Sequence, residues 1–195
     1  MAKILKPLKR PKLSKEDCLV NVGQTLPLMF HAFKECFDMY NEQIQQFIPE
    51  VRTRLDSTLF YALLAQSFIK HFPESYRKGR YKRAIFRFEG CQMILKKLNS
   101  KNQPSYVPTI LSDSIQIQGV DSLFEGDEGV EPILIFGYTK DKYGNISNPR
   151  IVYYDNVPQW EINTTDLRFF NADKPNTRYE VTIRLKGDKQ IKEAK

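Results

Sequence analysis

The sequence predicts an α+β protein in which an N-terminal helical hairpin packs on a C-terminal antiparallel β-sheet. The spacing of apolar residues supports this fold: it follows steps of three and four up to Pro73 and alternates at every second residue from about residue 84 onward. With 41% hydrophobic residues, 13 Phe and 10 Tyr, the chain can build a packed core. Its 195 residues suit one domain.

The helical hairpin follows from capping signals and from apolar faces. Ser14 begins a capping-box sequence, which predicts a short helix over residues 15–22. Thr25 is suited to cap a second helix, and Pro49 ends that helix and begins a third that runs to Pro73. The apolar face of the second helix comprises Met29, Phe33, Phe37, Tyr40, Ile44 and Phe47. Two long amphipathic helices joined by a short turn indicate an antiparallel pair.

Two β-hairpins are predicted after the helices. Residues 84–88 and 91–98 alternate on either side of Glu89–Gly90, a plausible two-residue turn, although 91–98 is also compatible with a helix. Residues 133–154 contain an apolar run, the turn signal of Tyr143 to Asn145, and a second apolar run. These segments form the centre of the predicted sheet.

Further strands are predicted at Ser114–Gln118, Gln159–Asn163 and Tyr179–Lys186, because apolar and polar residues alternate in the first and last of them. Together with the hairpins they give an antiparallel sheet of about five to seven strands. The alternation at Tyr179–Lys186 predicts that one face of the sheet is exposed to solvent.

The domain organisation predicted from these elements has three parts. Residues 1–14 form a basic flexible arm that is interrupted by prolines. Residues 15–186 form a single α+β domain with a helical part, 15–73, and a β-rich part, 80–186. Residues 187–195 form a charged tail.

Charge and cysteine content narrow the class of protein. The formal net charge of +7 favours a polyanionic partner, which could be nucleic acid, anionic lipid or an acidic protein face. The odd number of cysteines, 3, without a CxxC pair predicts free thiols in a reducing compartment. The N-terminus does not resemble a secretory signal, and the longest apolar runs are too short for a membrane span. We therefore expect a cytoplasmic protein with no membrane partner, no cofactor and no metal.

One basic stretch carries the main functional prediction. It places five positive charges within residues 76–83, and two tyrosines lie among them. Lysine and arginine neutralise phosphates, and a tyrosine ring offers a surface on which a base stacks. The alternative is a charged linker between the helices and the sheet. The predicted nucleic-acid-binding residues are Tyr76, Arg77, Lys78, Arg80, Tyr81, Lys82, Arg83 and Arg87.

An acidic segment, residues 113–131, contains six carboxylates and no Lys or Arg. Three interpretations remain open: a solvated loop, a segment that docks on the basic stretch and masks it, or a site for a divalent cation. The spacing of an EF-hand is absent from it.

A catalytic function has less support in the sequence. The two histidines, His31 and His71, fall in predicted helices, and no nucleophile-elbow, Walker A or kinase motif occurs. A Mg²⁺-dependent nuclease is the enzymatic alternative, because Glu89, Asp155 and Glu161 lie at or near strand ends. The compact Asp…Glu-x-Lys pattern of restriction-type nucleases is missing, however.

These observations lead to one expected function and two alternatives. The first is a non-catalytic nucleic-acid-associated binding protein that uses the basic stretch, with DNA or RNA as its partner. The second is a protein-interaction module or an inhibitor of a nucleic-acid enzyme, of the kind that phages or mobile elements encode. The third is the nuclease. The oligomeric state and any preference between DNA and RNA have no signal in the sequence.

Overall fold

Four helices and a six-stranded sheet make up the described part of the protein, which in this computed structural model comprises residues 9–105, 107–120, 130–141 and 144–167. The helices are α1 (Lys15–Val22), α2 (Leu26–Ile44), α3 (Pro49–His71) and α4 (Ile110–Gln116). The strands are β1 (Tyr76–Lys78), β2 (Ala84–Phe88), β3 (Cys91–Leu98), β4 (Ile133–Lys140), β5 (Ile146–Asp155) and β6 (Val157–Asn163). Within these ranges, none of the helices combines the length and the apolar character that crossing a membrane requires.

The helical hairpin forms as predicted. The Ser14 hydroxyl accepts a hydrogen bond from the Asp17 amide at 3.0 Å and so caps α1. Helices α2 and α3 then pack against each other, with the Phe33 and Phe60 rings 5.8 Å apart in an edge-on arrangement. The same two rings also pack close to Tyr138 of β4. The hairpin is thereby fixed on the sheet by interlocked aromatic side chains.

The sheet has the strand order β1-β2-β3-β4-β5-β6 and is mostly antiparallel. The predicted turn at Glu89–Gly90 joins β2 to β3, and Gly90 has φ of 70°, a left-handed conformation that glycine adopts without strain. The exception to the antiparallel prediction is β3, which pairs with β4 in parallel. A parallel pair needs a crossover connection, and residues 99–132 provide it.

The crossover contains α4, where the sequence analysis predicted a strand at Ser114–Gln118. That prediction is wrong because a capping box begins a helix just before it: the Thr109 hydroxyl accepts from the Ser112 amide at 3.1 Å, and the Ser112 hydroxyl accepts from the Thr109 amide at 2.8 Å. Leu111 and Ile115, one helical turn apart, are both buried.

Helices pack on both faces of the sheet in the described part of the chain, and the prediction of a solvent-exposed face, which rests on Tyr179–Lys186, stays a prediction. Helices α1 to α3 cover one face, where Phe86, Met93, Phe136 and Ile151 join the main core. Helix α4 covers the other face, where it shares a second apolar cluster with Ile85, Ile94, Leu98, Ile133, Ile135, Val152 and Tyr154. The strand predicted at Tyr179–Lys186 and the tail 187–195 lie outside the described residues.

The segment that precedes α1 contacts the body of the domain from residue 9 onward. Arg10 is buried, and its guanidinium donates to the carbonyls of Gly119 and Glu131 at 2.8 Å each. The Trp160 indole donates to the Leu13 carbonyl at 2.8 Å. Of the predicted flexible arm, residues 9–14 are therefore part of the packed structure, and residues 1–8 lie outside the described residues.

Candidate nucleic-acid interface

The basic stretch forms one edge of the sheet. β1 is the first strand in the sheet order and pairs with β2, with Tyr76 opposite Phe86 and Lys78 opposite Ala84. A tight turn, Arg80–Lys82, connects the two strands, and the Gly79 amide donates to the Arg83 carbonyl at 2.8 Å across its base. We call residues 76–83 the basic edge. Its charges are held on a short, structured hairpin at the border of the domain.

The tip of the basic edge presents a tyrosine to solvent. Tyr81 has φ of 56° and Lys82 has φ of 59°, so two consecutive non-glycine residues adopt the left-handed conformation. This conformation costs about 1–2 kcal/mol for each such residue. The backbone directs Tyr81 outward, and 86% of its surface is exposed. An exposed ring on a strained turn contributes nothing to the core, and it is suited to stack on a planar ligand.

The cations beside Tyr81 have no acidic partner among the described residues. Lys78, Arg80 and Lys82 are exposed, and neither hydrogen bonds nor ion pairs engage their side chains there. The Arg77 guanidinium donates to the carbonyls of Glu74 and Tyr76 at 2.8 and 2.7 Å, which orients it without neutralising its charge. Four positive charges thus lie within four residues of one exposed aromatic ring along the chain.

The other predicted binding residues are less available to a ligand. Tyr76 is half-buried, with its ring 6.0 Å from that of Phe86 in the main core. Arg87 forms an ion pair with Glu131 at 2.9 Å, which compensates its charge. Arg83 is half-buried, and its Nη1 atom is buried without a hydrogen-bond partner. The exposed interface therefore contains fewer residues than the sequence predicted: Arg77, Lys78, Arg80, Tyr81 and Lys82.

A residue that sequence reasoning missed, Lys96 of β3, lies near Arg83. Burial and then the positive charge of Arg83 lower the pKa of the Lys96 amine to about 8. Burial also lowers the pKa of Arg83. In the sequence, Lys96 was one of many lysines, and only the pairing of β2 with β3 brings it toward the basic edge.

One described carboxylate of the acidic segment, Glu131, contacts Arg87, which lies just beyond the basic stretch. One oxygen of the Glu131 carboxylate accepts a hydrogen bond from the Arg87 guanidinium. The other accepts from the Gln92 side-chain amide at 2.8 Å. Asp113 is exposed on α4. Residues 121–129 lie outside the described residues, so docking of that part onto the basic edge stays a prediction.

Two of the three candidate nuclease carboxylates are engaged, and by different residues. Glu89 is exposed in the β2–β3 turn. Asp155, at the end of β5, forms an ion pair with Lys9 at 2.9 Å. Glu161 accepts from Arg150 at 3.0 Å and from Asn102 at 2.7 Å. Across the described ranges, no three His, Cys, Asp or Glu side chains are grouped so that they could hold a metal ion.

The histidines and cysteines have structural surroundings. His71 contacts the Glu35 carboxylate at 2.7 Å, and His31 packs edge-on against the His71 ring. Glu35 is also bonded by Lys70, which is the main cause that lowers the pKa of this carboxyl to about 2. The three cysteines are free and buried, and burial raises the pKa of each thiol to about 12. They are therefore poor nucleophiles at neutral pH.

Comparison of the chain with protein-family models, with curated proteins and with solved structures found no match. Function is therefore inferred from the geometry described above, in which the basic edge is the most distinctive surface.

Proposed function

We propose that the protein is a non-catalytic nucleic-acid-binding protein and that the basic edge is its contact surface. The observation that carries the proposal is the exposure of Tyr81 on a strained turn, flanked along the chain by cations with no acidic partner in the described structure. Cations that neutralise phosphates, together with an aromatic ring for a base, are the combination used to bind single strands.

The geometry favours unpaired bases over a duplex. A base must be free of its partner strand to stack on an exposed side chain such as Tyr81. Lys78, Arg80 and Lys82 extend on either side of the ring along the chain, where a phosphate backbone would follow them. Single-stranded DNA or RNA is thus the preferred ligand in this proposal, and duplex DNA would be held by phosphate contacts alone.

Fluorescence anisotropy with labelled single-stranded and duplex oligonucleotides tests the proposal. The variant Arg80→Ala/Lys82→Ala removes two exposed charges, and Lys12→Ala/Lys101→Ala removes two exposed charges elsewhere. We expect the first variant to weaken binding about tenfold to hundredfold, since each lost phosphate contact costs about 1 kcal/mol, and the control to bind nearly as the wild type does. Equal losses in both variants would show that net charge, and not the basic edge, determines binding.

A second pair of variants tests the aromatic ring separately. Tyr81→Asn removes the ring but suits the left-handed backbone, which asparagine tolerates well, and Tyr81→Phe keeps a ring. We expect Tyr81→Asn to weaken single-strand binding by about 1–3 kcal/mol and to leave duplex binding unchanged, while Tyr81→Phe resembles the wild type. If no oligonucleotide binds at low salt, the proposal fails, and a protein partner becomes the function to test.

A further inference from the structure

Three basic residues, Arg83, Lys96 and Arg150, lie in one row across the sheet, on the face against which α4 packs. Gly137 lies between Lys96 and Arg150 in this row. Strand register places Lys96 beside Gly137 and Gly137 beside Arg150. Continuing the β2–β3 register two residues beyond Ile85 places Arg83 opposite Lys96. Residues that lie opposite one another on paired strands share a face of the sheet. Arg83, the last residue of the basic edge, and Lys96 therefore form a cross-strand pair of like charge.

This pair has no compensating acid among the described residues. Arg150, farther along the row, has Glu161 as its partner at 3.0 Å, but neither Arg83 nor Lys96 has a hydrogen bond or an ion pair there. The Nη1 atom of Arg83 is buried and unsatisfied. A buried donor without a partner is costly, so each such group in a native structure needs an explanation, and a bound ion is one that supplies the missing acceptor.

The surroundings of Lys96 would strengthen an electrostatic contact. Lys96 lines a small cavity between the sheet and α4, whose apolar walls come from Ile94, Ile115 and Ile135. This cavity, of about 10 Å³, is too small for a phosphate group and Arg83 does not line it, but its apolar walls lower the local dielectric constant around the Lys96 side chain, so an anion beside the amine is attracted more strongly than at an exposed lysine. The lowered pKa of Lys96, which results from burial and from the charge of Arg83, agrees with two cations held close together.

We propose that Arg83 and Lys96 form an anion site that takes a dianionic phosphate group, either a free phosphate ion or the terminal phosphate of a nucleic-acid strand. Two cations call for two negative charges, and a phosphate monoester carries close to two at neutral pH, whereas a carboxylate or a phosphodiester carries one. The planar guanidinium group of arginine matches phosphate oxygens in a bidentate arrangement, and lysine adds a point charge. The terminal-phosphate source rests on the proposed function, but the free-ion source does not.

Thermal unfolding of the full chain tests the site directly. Melting temperatures are measured in millimolar sodium phosphate and in sodium chloride of the same ionic strength, for the wild type, Lys96→Met and Lys97→Met. Lys97 is the matched control, because strand alternation places it on the opposite face of β3. Lys96→Met is expected to fold at least as stably as the wild type, since it replaces a half-buried, unpaired charge with an apolar side chain.

We expect phosphate to raise the melting temperature of the wild type and of Lys97→Met above the chloride value, and to lose this effect in Lys96→Met. Arg83→Met is a second variant that should lose it as well. A rise of equal size in all variants would overturn the proposal, because phosphate also stabilises proteins through general exclusion from their surface. The absence of any phosphate-specific rise in the wild type would overturn it too.

Oligonucleotides with a 5′-phosphate or a 5′-hydroxyl separate the two sources. Tighter binding of the phosphorylated strand by the wild type, lost in Lys96→Met, would assign the site to strand ends. A phosphate-specific rise in melting temperature without any oligonucleotide binding would support the anion site and refute the nucleic-acid proposal. Oligonucleotide binding that depends on Arg80 and Lys82, without a phosphate-specific rise in melting temperature, would support the nucleic-acid proposal and refute the anion site.

Discussion

Replacement of Gly137 by alanine tests how closely β3 and β4 pack beneath α4. A β-carbon built at Gly137 would lie 2.5 Å from Cγ of Leu98 and would also overlap its Cδ1 atom. Ordinary contacts between carbon atoms are about 3.5–4.0 Å. Leu98 is 1% exposed and belongs to the cluster that α4 covers. Because the clash involves the branching carbon of Leu98, rotation of its methyl groups does not relieve it.

This clash decides whether Gly137→Ala raises or lowers the free energy of unfolding. The φ of Gly137 lies outside the left-handed range, so an alanine without a clash would stabilise the protein by about 0.4–1 kcal/mol through a smaller entropy of the unfolded chain. Overpacking in a filled core costs about 1–3 kcal/mol. The net expectation for Gly137→Ala is a loss of about 1–2 kcal/mol in the free energy of unfolding.

Urea unfolding measures the change, and a double mutant assigns its cause. We expect Gly137→Ala to lower the midpoint with an unchanged slope. Leu98→Ala alone should cost about 2–5 kcal/mol, but in its background Gly137→Ala should be neutral or stabilising, because the space it needs is then empty. A stabilising effect of Gly137→Ala in the otherwise wild-type protein would refute the packing of Leu98 described here.

Three further predictions concern the charges and thiols that hold the domain together. Folding lowers the pKa of Glu35 to about 2, so its charge stabilises the protein above pH about 4.5, and this stabilisation is lost as the pH falls toward about 2. Glu35→Gln should therefore lower the free energy of unfolding by about 1 kcal/mol at neutral pH and by less at low pH. A difference in urea midpoint between the two proteins that stays constant across this pH range would contradict the reasoning. Arg10→Ala should lower the free energy of unfolding by about 2–4 kcal/mol, because the carbonyls of Gly119 and Glu131 lose a buried donor. The control Lys12→Ala, at an exposed neighbour, should change it by less than about 0.5 kcal/mol. Similar values for both variants would contradict this role of Arg10. The three thiols, each with a pKa of about 12, should react with a thiol reagent only after unfolding, and rapid labelling of the native protein would show that a cysteine is accessible.

The helices and hairpins followed from the sequence where local signals agreed with the tertiary structure. The face that begins with Met29 predicted α2 because its apolar spacing continues for several turns, and Met29, Phe33, Tyr40 and Ile44 of that face are buried in the core. Phe47 lies beyond the end of the helix and is exposed. In contrast, five alternating residues at Ser114–Gln118 resembled a strand, and the short helix there is set by the pair Thr109 and Ser112. A capping box with serine at its third position is a weak signal in a sequence.

Long-range pairings were beyond sequence reasoning. The parallel alignment of β3 with β4 depends on the path of the crossover, and no local pattern distinguishes it from an antiparallel one. Tyr76 and Tyr81 looked alike within the basic stretch, but one packs against Phe86 and the other is exposed. Likewise, the partner of Arg87 is Glu131, 44 residues away. Composition located the basic stretch, and the fold decided which of its residues remain available.

The most direct test of the central claim is the salt dependence of binding to a single-stranded oligonucleotide. Four cations of the basic edge, Arg77, Lys78, Arg80 and Lys82, lack acidic partners among the described residues, and single strands give a slope of about −0.7 for each phosphate neutralised. We predict a slope of log K against log salt near −3, reduced in magnitude by about 1.4 in Arg80→Ala/Lys82→Ala. A slope near zero, or one that this variant leaves unchanged, would contradict the basic edge as the nucleic-acid interface.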